Sequence, residues 1–443
     1  MSSGIKKSLI ALSISGAVFA PSAFATNGYF AHGYSTAEKG LAGAGVAYSQ
    51  DALSSATNPA GLVKVGERLD VGGAIFNPNR QYTASDLGAI APPMPGASPF
   101  PIADGTYESS HDYFFIPHIA YNWMLDDTTA FGIAAYGNGG MNTDYENVQN
   151  PYLPGGPFPG TFGGGAAGID LKQLFINASY AKQIDDKNAV GASIIFAYQT
   201  FKAHGLGAFG QSGFSNDPTK LTDNGDDSSM GFGVKLGWQG DVTPDVTLGV
   251  SYQSKMSMSE FDDYAGLFAE QGGFDIPATA IIGLAWKTSD KSTLVLDLQQ
   301  VYYSDVPSIG NAGINNLFAC GGGDTNSCLG GSTGAGFAYD DMTVIKLGYE
   351  WLANDMTWRV GVSNGDQPIP DNETMLNILA PAVIETHLTF GFTMPIDAGS
   401  EFTFAGMYAP SNSVKGATGF EDSQQVELEM DQFELQGTYT MKF

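Results

Sequence analysis

The chain has 443 residues and a formal net charge of −27, with 15% charged and 12% aromatic residues and 58 glycines. The acidic balance argues against a nucleic-acid partner, and the absence of any run of 18 apolar residues after residue 25 excludes transmembrane helices. Few charges, many aromatics and a mean hydropathy near zero fit an exported β-barrel, with apolar residues toward lipid and small polar ones toward the lumen.

In chain order, residues 1–25 read as a secretory signal peptide. Lys6 and Lys7 supply its charge, Leu9 to Ala20 its apolar run, and Ala23-Phe24-Ala25 an A-x-A cleavage site. The run is too short for an N-terminal membrane anchor. The mature chain is therefore expected to start at Thr26. Residues 26–68 are rich in small residues and lack extended alternation. Ser35 to Leu41 and Ala52 to Ala56 are helix-compatible, and Asn58-Pro59-Ala60 is expected to stop any helix.

From residue 69 onward, six short polar turns (near 125–128, 185–187, 241–245, 288–291, 354–355 and 397–400) alternate with seven longer connections. The longer ones are rich in Gly, Pro and Asp and lie near 84–110, 138–170, 205–228, 259–274, 306–339, 367–380 and 413–431. These connections predict an all-β fold, a 14-stranded antiparallel transmembrane β-barrel. An even strand number puts both ends on the periplasmic side and the long loops outside. Alternation supports the strands: Leu294, Leu296 and Leu298 against Val295, Asp297 and Gln299; Phe232, Val234 and Leu236 against Gly231, Gly233, Lys235 and Gly237. The last strand places Phe433, Leu435, Tyr439, Met441 and terminal Phe443 on one face. A soluble sandwich or propeller would have shorter strands and less asymmetric connections. The lumen of such a barrel is too wide for its own side chains to fill. Residues 26–68 are therefore expected to form an N-terminal hatch inside a barrel of residues 69–443.

Thr57-Asn58-Pro59-Ala60 followed by a strand over residues 69–76 resembles the FadL-type outer-membrane transporters of long-chain fatty acids and other hydrophobic compounds. Tyr136-Gly137-Asn138-Gly139-Gly140-Met141, Leu171-Lys172-Gln173-Leu174-Phe175, residues 257–277, Asp366-Gln367-Pro368-Ile369-Pro370 and Ser413-Val414-Lys415-Gly416 extend the resemblance along the mature chain. The resemblance implies a bacterial outer-membrane channel with no enzymatic activity, cofactor or metal. It also implies a path: an apolar groove between outer loops, a deeper pocket, then lateral exit through a wall gap at a kink in the third strand. Asn138, Gly139 and Gly140 are the expected kink, since paired glycines weaken a strand interior. The alternative is that they end the strand at the outer rim.

Phe261, Tyr264, Leu267 and Phe268 recur at helical spacing behind Ser259 and predict an amphipathic loop helix that receives ligand, with Phe209 and Phe214 as neighbours. The competing reading is a helix that only packs against other loops. A carboxylate ligand needs a cation or several donors. Lys346 and Arg359 are lumen-facing by parity, and Lys202 ends the fifth strand; the alternative for Lys346 and Arg359 is pairing with inward acids such as Glu350 and Glu385. Cys320 and Cys328, an even pair at short spacing in an exported loop, predict a disulfide rather than a metal site, because no His lies nearby. Five scattered histidines, His387 among them, form no hydrolase pattern.

The leading expectation is a monomeric passive channel for hydrophobic small molecules, long-chain fatty acids foremost and monoaromatic hydrocarbons as the alternative, in contact with membrane lipid and lipopolysaccharide. A general porin and an adhesin or receptor are the alternatives of other classes. The plug and the apolar loop segment disfavour the porin.

Overall fold

A computed structural model of the chain describes residues 26–85, 101–152, 156–420 and 424–443. The signal-peptide reading of residues 1–25 and much of the first outer connection lie outside the described residues.

The described wall consists of fourteen long strands. The first seven are β1 (Arg68–Ser85), β2 (Phe114–Asp126), β3 (Thr129–Tyr145), β4 (Ala167–Gln183), β5 (Asn188–His204), β6 (Asp227–Thr243) and β7 (Val246–Gln253). The second seven are β8 (Thr279–Ser289), β9 (Ser292–Val301), β10 (Met342–Ala353), β11 (Met356–Gly365), β12 (Thr386–Asp397), β13 (Ser400–Ala417) and β14 (Gln425–Lys442). Each pairs antiparallel with its chain neighbours, and β14 closes on β1 in unbroken register from Arg68 opposite Lys442 to Ser85 opposite Gln425. This closure leaves neither terminal strand of the sheet as a free edge in lipid, where each unsatisfied backbone group costs several kcal/mol.

The period of two decides which side chain goes where. On β6, Met230, Phe232, Val234 and Leu236 are each about half exposed on the outer face, while Lys235 between them is buried in the lumen. Leu435, Tyr439 and Phe443 do the same on and just beyond β14. The periplasmic turns are tight. At Asn354-Asp355 both residues take positive φ (52° and 60°), the hairpin geometry that matches strand twist.

Residues 27–64 fill the lumen, and nearly all are buried. Their local structure differs in part from expectation. Ser35 caps a single helical turn, Thr36–Lys39, and Asp51 caps a 3₁₀ turn, Ala52–Ala56. Asn58-Pro59-Ala60 does more than stop a helix. The Asn58 side chain accepts from the Ala60 amide, and Pro59 opens a second 3₁₀ helix, Pro59–Lys64. Proline suits that first position because its missing N–H would have had no helical partner there.

The outer loops fold over the barrel mouth. Helix Ile314–Gly321 is joined to the turn at Thr325–Ser327 by the Cys320–Cys328 disulfide. Reducing and non-reducing peptide maps of protein taken from the outer membrane should differ by this one bridge, and recovery of two unmodified thiols would contradict it.

Candidate transport site: hatch, wall gap and outer loops

The hatch is mostly irregular, so its buried backbone groups need partners from the wall. Lumen-facing side chains supply them from many directions. The Asp297 carboxylate accepts from the Gly45 and Val46 amides at 2.8 and 2.9 Å. Asp70 accepts from the Ala52 amide at 2.8 Å, and Thr389 accepts from Ala42 while donating to the Gly40 carbonyl. Asn122 donates to the carbonyls of Leu62 and Gly66. Lys235 donates to the Ala56 carbonyl, and Lys39 of the hatch pairs with Glu434. Asn58 donates to Val46 O at 2.7 Å and to Trp238 O of β6 at 3.0 Å, so the hatch motif ties the plug both to itself and to the wall. That approach needs Gly237, where a Cβ would stand 2.0 Å from the Asn58 amide oxygen.

Lys346 and Arg359 both point inward and both are engaged. Lys346 Nζ donates to the hatch carbonyls of His32 (2.9 Å) and Gly43 (3.3 Å). Arg359 pairs with Glu350 at 2.8 Å and also reaches Thr393 and Gln50. Glu350 further accepts from Tyr48 of the hatch. Lys202 is a correction. It shares the phase of Val190 and Ile194, which are exposed on the outer face, and β5 pairs with β4 and β6 without a register shift. Lys202 therefore points away from the lumen.

Among the described residues, the ladder between β2 and β3 is incomplete. The β2–β3 ladder runs only from Asp126 opposite Thr129 to Ile119 opposite Ala135. Above it, Phe114 to His118 pair with β1 alone. On the other side, β3 continues to Tyr145 against β4, with a register shift between Gly137 and Gly139 that leaves Asn138 as the extra residue. The glycines thus sit in a bulge within the strand and do not end it. Contact between β3 and the segment leading into β2 resumes at Asp144, whose carbonyl accepts from the Ser110 amide and whose amide donates to Ser109 Oγ. Between these limits the hatch covers the gap: Phe30 pairs with Gly139, and the Gly140 amide donates to the Tyr29 carbonyl at 3.0 Å. A Cβ at residue 139 would stand 2.2 Å from that carbonyl oxygen, so only glycine admits the hatch here. The Tyr303 hydroxyl holds the same segment, accepting from the Tyr29 amide and donating to the Asn27 carbonyl.

Over the mouth, the expected loop helix is absent as such. The segment forms a 3₁₀ turn at Asp262–Tyr264 and a short helix at Ala269–Gly272, and Ser259 caps neither. Phe268 is extended (ψ 145°), which breaks the helical path, and beyond it Glu270, Gln271 and Gly272 take positive φ. What brings the aromatics together is packing round Phe201, whose ring lies 5.6, 4.9 and 4.6 Å from those of Phe261, Tyr264 and Phe268. Phe261 and Tyr264 are wholly inside that cluster. Leu267 and Phe268, with Phe209, Leu206 and Phe337, line an apolar cavity of about 40 Å³. Phe214 packs instead against Phe420. Glu373 accepts from the Gly313 and Ile314 amides at the start of the disulfide-bearing helix and so joins two loops; burial pushes its carboxyl above the usual range.

A closed, lipid-faced barrel of fourteen strands with a filled lumen is the architecture of an outer-membrane channel. The chain matches the model of the outer membrane protein transport protein family (OMPP1/FadL/TodX) over residues 16–431, and it belongs to that family of transport proteins. Its fold is similar to the toluene transporter TodX of Pseudomonas putida at 17% identity and a TM-score of 0.67, over 93% of this chain and 99% of that one. It is similar to the toluene transporter TbuX of Ralstonia pickettii at 18% identity and 0.60, over 93% and 99%. It is likewise similar to a FadL homologue of Pseudomonas aeruginosa at 14% identity and 0.63, over 94% and 100%. No curated protein sequence matches it. At these identities the structural likeness shows the fold.

Two substitutions test how the hatch is held. Asp297→Ala leaves two buried amides without an acceptor, a loss of ~2 kcal/mol. Amide exchange at Gly45 and Val46 should then accelerate about 30-fold while the strand ladders keep their protection. Gly139→Val should expel Tyr29 from the gap and speed exchange at Gly140; unchanged protection there would show that the gap does not depend on this approach.

Proposed function

We propose that this protein is a passive outer-membrane channel for hydrophobic molecules, with long-chain fatty acids as its cargo, and that cargo leaves sideways through the β2–β3 gap. The observation that carries the reading is that a stretch of wall between two strands is closed by hatch residues rather than by a ladder. A ladder left open in lipid is costly, so a gap stoppered by a separate segment is a door more readily than a defect. The apolar lining of the outer-loop cavity supports the first stage, because once the loops part to widen it a chain leaving water has a place to lose its hydration. Movement of Tyr29 and Phe30 then uncovers the gap. Fatty acids suit such a path: the tail is apolar throughout, and its one polar group needs to be met at few places.

Initial uptake of labelled oleate by cells deleted for their own channel of this family should rise with expression of this protein and saturate. Uptake no higher than that of the empty vector would overturn the reading.

A further inference from the structure

We propose that Arg80 is a specificity-determining anchor for an anionic headgroup at the wall gap, so that the channel favours amphipathic carboxylic acids over neutral compounds of the same length. The inference rests on the channel reading above and adds to it the residue that distinguishes acid from hydrocarbon.

Arg80 lies on the inner face of β1, in phase with buried Phe76 and Tyr82, and is itself 4% exposed. Its hydrogen bonds go to neutral oxygens: the Pro78 carbonyl at 3.0 Å, the Ser109 hydroxyl at 3.0 Å and the His111 carbonyl. Its Nε has no partner. Arg80 takes part in none of the ion pairs among the described residues. Arg68 and Arg359, the other buried guanidinium groups of the lumen, each hold a carboxylate. The Phe114 ring centroid lies 5.8 Å from Arg80 Cζ, but among the described residues no carboxylate bonds Arg80 directly, and a carboxylate is the ligand its planar donors suit best.

Its position gives that preference a use. Arg80 borders a small cavity of about 30 Å³ lined also by Asn142, by apolar groups such as Phe76, Met141, Pro381 and Met430, and by Gly28 and Tyr29 of the hatch. Strands β1 and β3 both reach this cavity, which places it at the gap where β2 fails to pair with β3. Ser109, which Arg80 holds, is also the acceptor of the Asp144 amide at the upper limit of the gap. On its other side Arg80 borders a polar cavity of about 210 Å³ containing Glu108, Asp112, Glu429 and Asp431. These acids repel an anion on the outer side, so the apolar cavity is the favourable side for a headgroup with a chain attached. The closed cavity is too small for an acyl chain, and loading it requires the Gly28–Tyr29 segment to move. Arg80 faces the lumen and not the bilayer, which favours a transported acid over a resident lipid.

The test compares initial uptake of labelled laurate and labelled 1-dodecanol by cells carrying the wild type, R80M or R80K at equal amounts of folded barrel. Laurate uptake should fall about tenfold or more in R80M, the effect of losing one charge-assisted bond, while dodecanol uptake stays within about twofold; R80K should restore much of the laurate rate. R80Q is read in the same way if R80M does not assemble. Equal losses for acid and alcohol, or no change for either, would overturn the role of Arg80 while leaving the channel reading in place. A wild type that takes up neither compound above the vector overturns both.

Discussion

The structure depends on one constraint: a hatch without a regular hydrogen-bond pattern is buried inside a closed sheet. Helices and strands satisfy their own backbone, but irregular chain does not. The wall must therefore carry, on its inner phase, side chains aimed at particular hatch amides and carbonyls. Asp297, Asp70, Thr389, Asn122, Lys235 and Lys346 are such side chains, and they come from strands spread around the circumference. Lys235 and Lys346 are used on the hatch backbone, and Lys39, Arg68 and Arg359 on carboxylates, which is why a lumen that contains several cations has so few left for cargo.

The same constraint explains how plug and gap belong together. Where β2 and β3 separate, the open β3 backbone is partly satisfied by Tyr29 and Phe30, which add themselves as a fragment of strand. Gly139 permits the approach, and the bulge at Asn138 offsets β3 there by one residue. The hatch is thus held by many polar contacts along its length, and at the gap itself by a short stretch of ladder and the two bonds of the Tyr303 hydroxyl.

The outer loops form a different kind of layer. Their centre is an aromatic cluster round Phe201, and a disulfide and the Glu373 contacts tie neighbouring loops together. Within that layer Phe261 and Tyr264 are packing residues, whereas Leu267 and Phe268 face a cavity. Helical spacing placed all four on one face, but only Asp262–Tyr264 makes a 3₁₀ turn and Phe268 is extended (ψ 145°), which divides the segment.

The sequence alone determined the barrel, because period-two alternation and the asymmetry between short turns and long loops are local properties of the chain. It also located the hatch, which lacks that period, and the disulfide, whose two cysteines lie in one loop. It read Lys346 and Arg359 as inward by parity, since parity is fixed by the pleat. Lys202 was missed because parity was not applied at the end of the strand. Arg80 was missed because alternation was not followed past Phe76, although the first outer connection was placed only near residue 84; the strand runs on to Ser85. Only the tertiary structure decided what the inward groups touch, since hatch and wall meet across hundreds of residues of chain. Only it showed that β2 and β3 part above Ile119, because a ladder is a relation between two strands and neither one records it.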